Sequence, residues 1–265
     1  MGFVYFAYPW GEGILKGFEP DKWHIDFLNE LGEEVKKRKF DGVNAVEAIR
    51  FATASGHGIG KSCLTSWLIH WILSTRPFAK GVVTAGTATQ LETKTWSELN
   101  KWTKICICGH WFEISSGKGN MKLVQNTNQR TWRVDGITCK KENADSFAGL
   151  HAVNSTPFYI FDEAPAVPNQ IYEVAEGGLT DGEPMFFLFG NYTRNSGDFH
   201  ECFNRMKHRW ITRQIDSRTV KITNKAQIKK WIEDYGEDSD FIRVRVRGLA
   251  PKQSSMQFIS SQSVF

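Results

Sequence analysis

The sequence is short of cysteine, of long apolar runs and of any strong charge imbalance. Its five cysteines, at positions 63, 106, 108, 139 and 202, are an odd number in a 265-residue chain too large to depend on disulfide staples. A disulfide scaffold is excluded, and a reducing compartment is expected. Cys106, Cys108, His110 and Cys139 make a poor zinc pattern, because C-x-C-x-H with one distant cysteine lacks the usual ligand spacing. Free or buried thiols are the expectation there. No apolar stretch approaches the ~20 residues of a membrane span, and the start has no signal-peptide pattern. The opening M-G-F-V-Y-F-A-Y-P-W is apolar, short and uncharged, and is expected to pack on the body. A formal net charge of +4 permits nucleic-acid contact without arguing for it. Repeats and low-complexity tracts are also missing. What remains is the composition of a globular protein, 41% hydrophobic and 23% charged, with length for one large or two ordinary domains.

Apolar periodicity predicts a helix over 22–39, through Trp23, Phe27, Leu28, Leu31 and Val35. A buried strand over 48–54 runs into a glycine-rich stretch. Beyond it, Leu64, Leu68, Trp71 and Ile72 mark a helix ending near Pro77. G-V-V-T-A-G (81–86) predicts a strand, and 87–102 a helix capped at Thr87 or Thr89. Residues 111–140 read as a polar strand or hairpin excursion. Apolar runs at 156–163, 184–191 and 209–214 add three strands, and a further helix is expected near 224–235, stopped at Gly236. F-I-R-V-R-V-R-G (241–248) alternates charge with period two, which predicts an edge strand. Strands that are apolar throughout, alternating with helices, imply a mostly parallel sheet covered on both faces. The expected organisation is an N-terminal segment and helix (1–40), a core (41–215) and a C-terminal helix and edge strand (216–265).

S-G-H-G-I-G-K-S (55–62) is a phosphate loop with Ser55 where the usual pattern has glycine. Such a loop turns successive N–H groups toward phosphate, with the positive end of a helix behind them. Gly56, Gly58 and Gly60 permit the curl, and His57, Ile59 and Cys63 complete the nucleotide-binding stretch. Lys61 can reach the β- and γ-phosphates, and the Ser62 hydroxyl can serve Mg²⁺. F-Y-I-F-D-E (158–163) presents two acids at the end of a strand. Asp162 is suited to hold Mg²⁺, and Glu163 to orient and deprotonate an attacking water. The competing reading of the acids is a helix cap after a strand. G-N-Y-T-R (190–194) closes the next strand: Asn191 can sense the γ-phosphate, while Thr193 or Arg194 relays its loss. On its own, a Gly-Asn at a strand end is a turn.

The chain resembles the ATPase part of the large terminase subunit of tailed bacteriophages, which packages viral DNA. The resemblance rests on I-R-F-A-T-A-S-G-H-G-I-G-K-S, V-V-T-A-G-T-A-T-Q, D-S-F-A-G-L-H-A (145–152), F-Y-I-F-D-E-A, F-G-N-Y-T-R and Y-G-E-D-S-D-F-I-R-V-R-V-R-G (235–248), in family order over most of the chain. It implies an α/β P-loop NTPase of the ASCE type, with a mostly parallel central sheet flanked by helices. It further implies that Lys61, Ser62, Asp162 and Glu163 carry hydrolysis of ATP with Mg²⁺, and that Gly190, Asn191, Thr193 and Arg194 form the coupling motif. Where the family has a Trp-Gln pair for adenine, this chain has Trp23-His24, which loses the two-pronged amide match. Trp10, Phe18 and Trp23 are stacking or core candidates. The family's additional ATP-site arginine has no secure counterpart; Arg76, Arg130, Arg133 and Arg194 are candidates, and Arg50 can orient the loop.

The implied partners are double-stranded DNA, a portal protein and a small terminase subunit. The implied setting is a homo-oligomeric ring in the host cytoplasm, transiently at the procapsid portal, with no membrane. The family's nuclease lies beyond the R-V-R-V-R-G-L-A-P stretch, and the acids at 233–240 do not form one, so DNA cutting is not expected from residues 1–265. Basic runs at 36–39 and 205–213 are compatible with DNA and equally with solvated faces. A helicase-like remodelling ATPase and a nucleotide-regulated assembly module are the alternatives.

Overall fold

In the computed structural model, which describes residues 1–117 and 119–252, helices and strands alternate along the chain. Helices α1 (Gly2–Ala7) and α2 (Lys22–Arg38) precede strand β1 (Ile49–Ser55), and the glycine loop then leads into α3 (Lys61–Thr75). Strand β2 (Lys80–Ala85) is followed by α4 (Ala88–Gln90), which runs through a π-helical turn at Leu91–Trp96 into α5 (Ser97–Ile105). Strands β3 (Phe112–Gly117), β4 (Asn120–Gln125), β5 (Arg133–Gly136) and β6 (Pro157–Asp162) come next. Helix α6 (Asn169–Gly177), β7 (Met185–Gly190), α7 (Asp198–Phe203) and β8 (Ile211–Ile215) lead to α8 (Lys225–Tyr235) and α9 (Asp240–Arg245). None of these helices is long and apolar enough to cross a membrane. The chain packs into two compact units that interleave in sequence. One holds Met1–Ile49, Gly60–Asp162 and Val167–Phe187; the other holds Arg50–Ile59, Glu163–Ala166 and the chain from Leu188 on.

In the first unit, five strands lie in the order β3-β4-β5-β2-β6. β2 runs parallel to both neighbours, with Val82 opposite Asp135 on β5 and Tyr159 on β6. The polar excursion over 111–140 is an antiparallel hairpin, β3–β4, followed by β5. Every residue of β6 is buried, as a strand covered on both faces requires. Helix α3 is buried over most of its circumference, from Leu64 through Leu73. The uncharged N-terminal segment packs here as its composition predicts: Tyr8 meets Trp102 at 4.9 Å, and Trp10 meets Trp67 at 5.5 Å. At the centre of that cluster His70 Nδ1 lies 2.7 Å from the Tyr8 hydroxyl, and Nε2 lies 2.9 Å from Thr103 Oγ1. The Thr103 proton is committed to Leu99 O (2.7 Å), so Nε2 carries the ring proton and Tyr8 donates to Nδ1. Burial lowers the His70 pKa to about 3, and the ring is a neutral core strut. The basic run at 36–39 falls in the last turn of α2 and at its C-cap, where the helix dipole favours cations.

In the second unit β1 and β8 pair in parallel, from Phe51 opposite Ile211 to Ser55 opposite Ile215. Helix α8 begins where Asn224 accepts the Gln227 N–H and ends at Gly236 (φ 84°). The expected edge strand over 241–248 does not form; its first half is helix α9. Ser239 caps it by accepting the Ile242 N–H (3.3 Å). Ile242 and Val246, four apart, are both fully buried against Ile228, Trp231 and Phe241. Arg243 and Arg247, also four apart, both reach Asp238, at 3.2 and 3.4 Å. R-V-R-V-R satisfies a period of two, but the same letters place one apolar and one basic row at helical spacing, and the cap decides between them.

Candidate nucleotide site

Ser55 ends β1 fully buried, and its Oγ donates to Gly56 O at 2.9 Å, so the hydroxyl is accommodated without solvent. The demand for glycine falls one residue later. A Cβ on Gly56 would lie 2.2 Å from Ser217 Oγ and 2.4 Å from Val246 O. The loop backbone is held by the same segment: Gly56 N–H donates to Ile215 O (3.1 Å), His57 N–H donates to Arg245 O (2.8 Å), and Ser217 Oγ donates to His57 O (2.9 Å). Gly58 (φ 71°) and Gly60 (φ 87°) adopt left-handed conformations, and the buried Ile59 anchors the loop between them.

Gly60 is the N-cap of α3, so Lys61, Ser62 and Cys63 occupy the first turn of a 15-residue helix, at the positive end of its dipole. Burial pushes the Cys63 thiol up, which leaves it an unreactive packing group. The Ser62 hydroxyl donates to Asp162 Oδ2 at 3.3 Å, and Asp162 is 4% exposed at the end of β6. A hydroxyl and a carboxylate adjacent at a helix N-terminus are a hard-oxygen pair, and they fit Mg²⁺. Sequence reasoning missed a third member, Thr95, whose Oγ1 donates to the same Oδ2 at 2.7 Å. It lies in the π-helical turn, which sequence periodicity reads as ordinary helix.

Glu163 is one of four non-glycine residues with positive φ (55°) among the described residues. Its backbone is strained immediately after the strand, a condition that clusters at functional sites. The segment that follows packs closely on Gly190, where a Cβ would lie 2.3 Å from Pro165 Cδ. Asn191 is 2% exposed, with its Nδ2 donating to Ser55 O at 2.7 Å, while Thr193 and Arg194 are exposed.

His24, at the place of the family's glutamine, is 4% exposed, with both ring nitrogens engaged within the protein. Asp21 N–H donates to Nδ1 (3.2 Å) within a reciprocal capping box, so Nε2 carries the proton and donates to Gly60 O at 3.3 Å. Burial lowers its pKa to about 4. The ring ties the cap of α2 to the loop, and Trp23 beside it is buried, as is Tyr8 beside Trp10, whereas Phe18 is 58% exposed.

Of the arginine candidates, Arg76 is bound to the buried Glu183 at 2.9 Å and stacks on Trp71, Arg133 is paired with Asp135, and Arg130 is exposed. Arg245, which no sequence pattern singles out, approaches the loop instead. Its Nη1 lies 3.4 Å from His57 Nε2, and its guanidinium lies over Phe241. Among the described residues no carboxylate lies within ion-pair distance of it. With His57, Gly58, Thr223, Gln227 and Trp231 it lines a cavity of about 210 Å³. Cys106 and Cys108 are buried, and Cys139 Sγ donates to Ala85 O (2.8 Å). Among the described residues no group of three or more His, Cys, Asp or Glu is gathered to hold a metal.

No protein-family model matches the chain. A probable large terminase subunit of Enterobacteria phage P7 is 24% identical over 210 residues, covering 76% of this chain and 42% of that protein. The large terminase of a thermophilic bacteriophage superposes with a TM-score of 0.66 at 13% identity, over 88% of this chain and 54% of its own. That protein has also been solved with ADP. A mutant of the ATPase domain of the Thermus phage P74-26 large terminase superposes at 0.56 and 13% identity, over 88% of this chain and 95% of its own. The chain therefore spans about half the length of the full-length relatives it matches. An α/β P-loop architecture with a mostly parallel sheet is what these structures share with it, and the fold of this chain is that of the large-terminase ATPase domain.

Proposed function

We propose that this chain hydrolyses ATP with Mg²⁺, and that the energy drives double-stranded DNA into a viral procapsid. The observation that carries the proposal is the Ser62–Asp162 contact at the N-terminus of α3, behind a loop with two left-handed glycines. Lys61 and the N–H groups of the loop's last residues and the first turn of α3 bind the phosphates, and Ser62 and Asp162 are the residues that would hold Mg²⁺. When bound, Mg²⁺ supplies neutralisation of the charge that develops on the phosphate oxygens. Glu163 orients the attacking water and takes its proton. Arg245, an uncompensated cation at the loop, is assigned to the terminal phosphate. Gly190, Asn191, Thr193 and Arg194 report phosphate loss through the bond from Asn191 to the loop. His24 acts by holding Gly60. A portal protein, a small terminase subunit and further copies of the chain in a ring are the proposed partners, at the procapsid portal in the host cytoplasm.

Glu163→Gln tests the chemistry: turnover should vanish while ATP binding persists, and surviving turnover would assign the base elsewhere. DNA- or portal-stimulated ATPase activity without unwinding of a forked duplex is expected of a packaging motor. Unwinding would favour the helicase reading.

A further inference from the structure

We infer that Thr95 is a positioning residue that fixes the Asp162 carboxylate for its cation, an inference that rests on the nucleotide reading of this site. Three other threonines in these helices turn the hydroxyl back onto their own backbone. Thr75 donates to Trp71 O (2.6 Å), Thr93 to Thr89 O (2.7 Å) and Thr103 to Leu99 O (2.7 Å), each four residues back. Thr95 donates to Asp162 Oδ2 at 2.7 Å instead, and both residues are almost fully buried, at 1% and 4% exposure.

The π turn explains the difference. Leu91 and Trp96 are both buried although they lie five residues apart, and the exposed positions 92–94 loop out between them. An α-helix brings residues four apart into line. The wider turn brings residues five apart into line and leaves Thr95 as an added inward position, at the end of the neighbouring strand. A π turn of this kind is costly to regular helix geometry and recurs at functional sites.

The bond also has a distinct chemical task. Ser62 donates to the same oxygen at 3.3 Å, the longer of the two contacts. A serine hydroxyl has one proton and two lone pairs, so Ser62 can offer a lone pair to a cation, and its contact with the carboxylate then shifts with that cation. Thr95 has no such second task and keeps its proton on Oδ2 in either state. It therefore holds the carboxylate's orientation whether or not Ser62 is also engaged by the cation.

The test is a Mg²⁺ titration of the binding of a fluorescent, non-hydrolysable ATP analogue to the wild-type chain and to Thr95→Val and Thr95→Ser. Thermal melts show that each variant is folded. Thr95→Val should raise the Mg²⁺ concentration for half-saturation about tenfold while leaving metal-free analogue binding unchanged. Thr95→Ser, which keeps the hydroxyl, should stay close to wild type. An unshifted Mg²⁺ requirement in Thr95→Val overturns the inference, as does a Thr95→Ser variant as impaired as Thr95→Val, which would make the methyl group the important part. If Thr95→Val fails to fold, Thr95→Ser and Thr95→Ala carry the same comparison. A wild-type chain that binds no analogue at any Mg²⁺ concentration overturns the nucleotide reading itself, a result distinguishable from failure at Thr95 alone.

Discussion

The side-chain amide of Asn191 donates to the main-chain oxygen of Ser55 across 2.7 Å, with both residues almost completely buried. The end of β7 thereby grips the first residue of the phosphate loop. Asn191→Ala leaves that carbonyl without its donor and should cost about 1–3 kcal/mol in chemical unfolding. Asn191→Asp should cost more, because a carboxylate then faces a carbonyl oxygen. Ser55→Gly restores the commoner loop and should lie within about 1 kcal/mol of wild type. A tolerated Asn191→Asp would show that the bond contributes nothing.

Gly56 has no room for a methyl group, since two of the atoms a Cβ would meet are backbone oxygens that cannot swing away. Gly56→Ala should destabilise by about 3 kcal/mol or express as aggregate. Gly2→Ala, where nothing lies within 4 Å, is the matched control. Melting temperatures of the pair decide it.

At Glu163 the left-handed backbone (φ 55°) favours glycine over any side chain. Glu163→Gly should be more stable than Glu163→Ala by about 1 kcal/mol, although both lack the carboxylate. Equal unfolding midpoints would mean that the backbone relaxes once the side chain is gone.

Two histidines give a defined acid sensitivity. Burial lowers His24 to about 4 and His70 to about 3. The unfolded chain takes up these protons near pH 6.5, whereas the folded chain resists until much lower pH. Their contribution to stability is therefore complete above about pH 6.5 and declines as pH falls toward the folded values. Urea midpoints measured from pH 8 to pH 5 should fall, and His24→Gln should flatten that slope. An unchanged slope in the variant would remove His24 from the account.

Arg245 carries no carboxylate partner among the described residues, so its loss should leave stability within about 0.5 kcal/mol. Arg245→Ala should weaken ATP more than ADP, because only ATP offers a terminal phosphate, and Arg245→Lys should recover part of the difference. Equal weakening of both nucleotides in a binding titration would place the guanidinium elsewhere.

The loop, the apolar strands and the paired acids were legible because each rests on local chemistry: glycine for left-handed turns, continuous apolar letters for doubly covered strands, acids after a buried run. Four features were not. The R-V-R-V-R stretch fits two periods at once, and only the Ser239 cap and the burial of Ile242 and Val246 select the helix. Thr95 reads as one more helical threonine, because a π turn changes register without changing composition. Arg245 and His24 owe their placement to contacts with residues 188 and 36 positions away, which no local pattern encodes.

The grip of α9 on the loop has a consequence for how the protein comes into being. His57 donates its N–H to Arg245 O, and Gly248 (φ 64°) packs so tightly that a Cβ there would touch Ser55 Cα at 2.8 Å. A ribosome delivers residues 55–60 early and their anchors nearly 190 residues later. Synthesis proceeds at ~5–20 residues per second, so the loop waits on the order of ten seconds or more for its final partners. During that interval the nascent chain carries the glycine-rich letters without their fixed shape, and the loop takes its final form only as α9 closes.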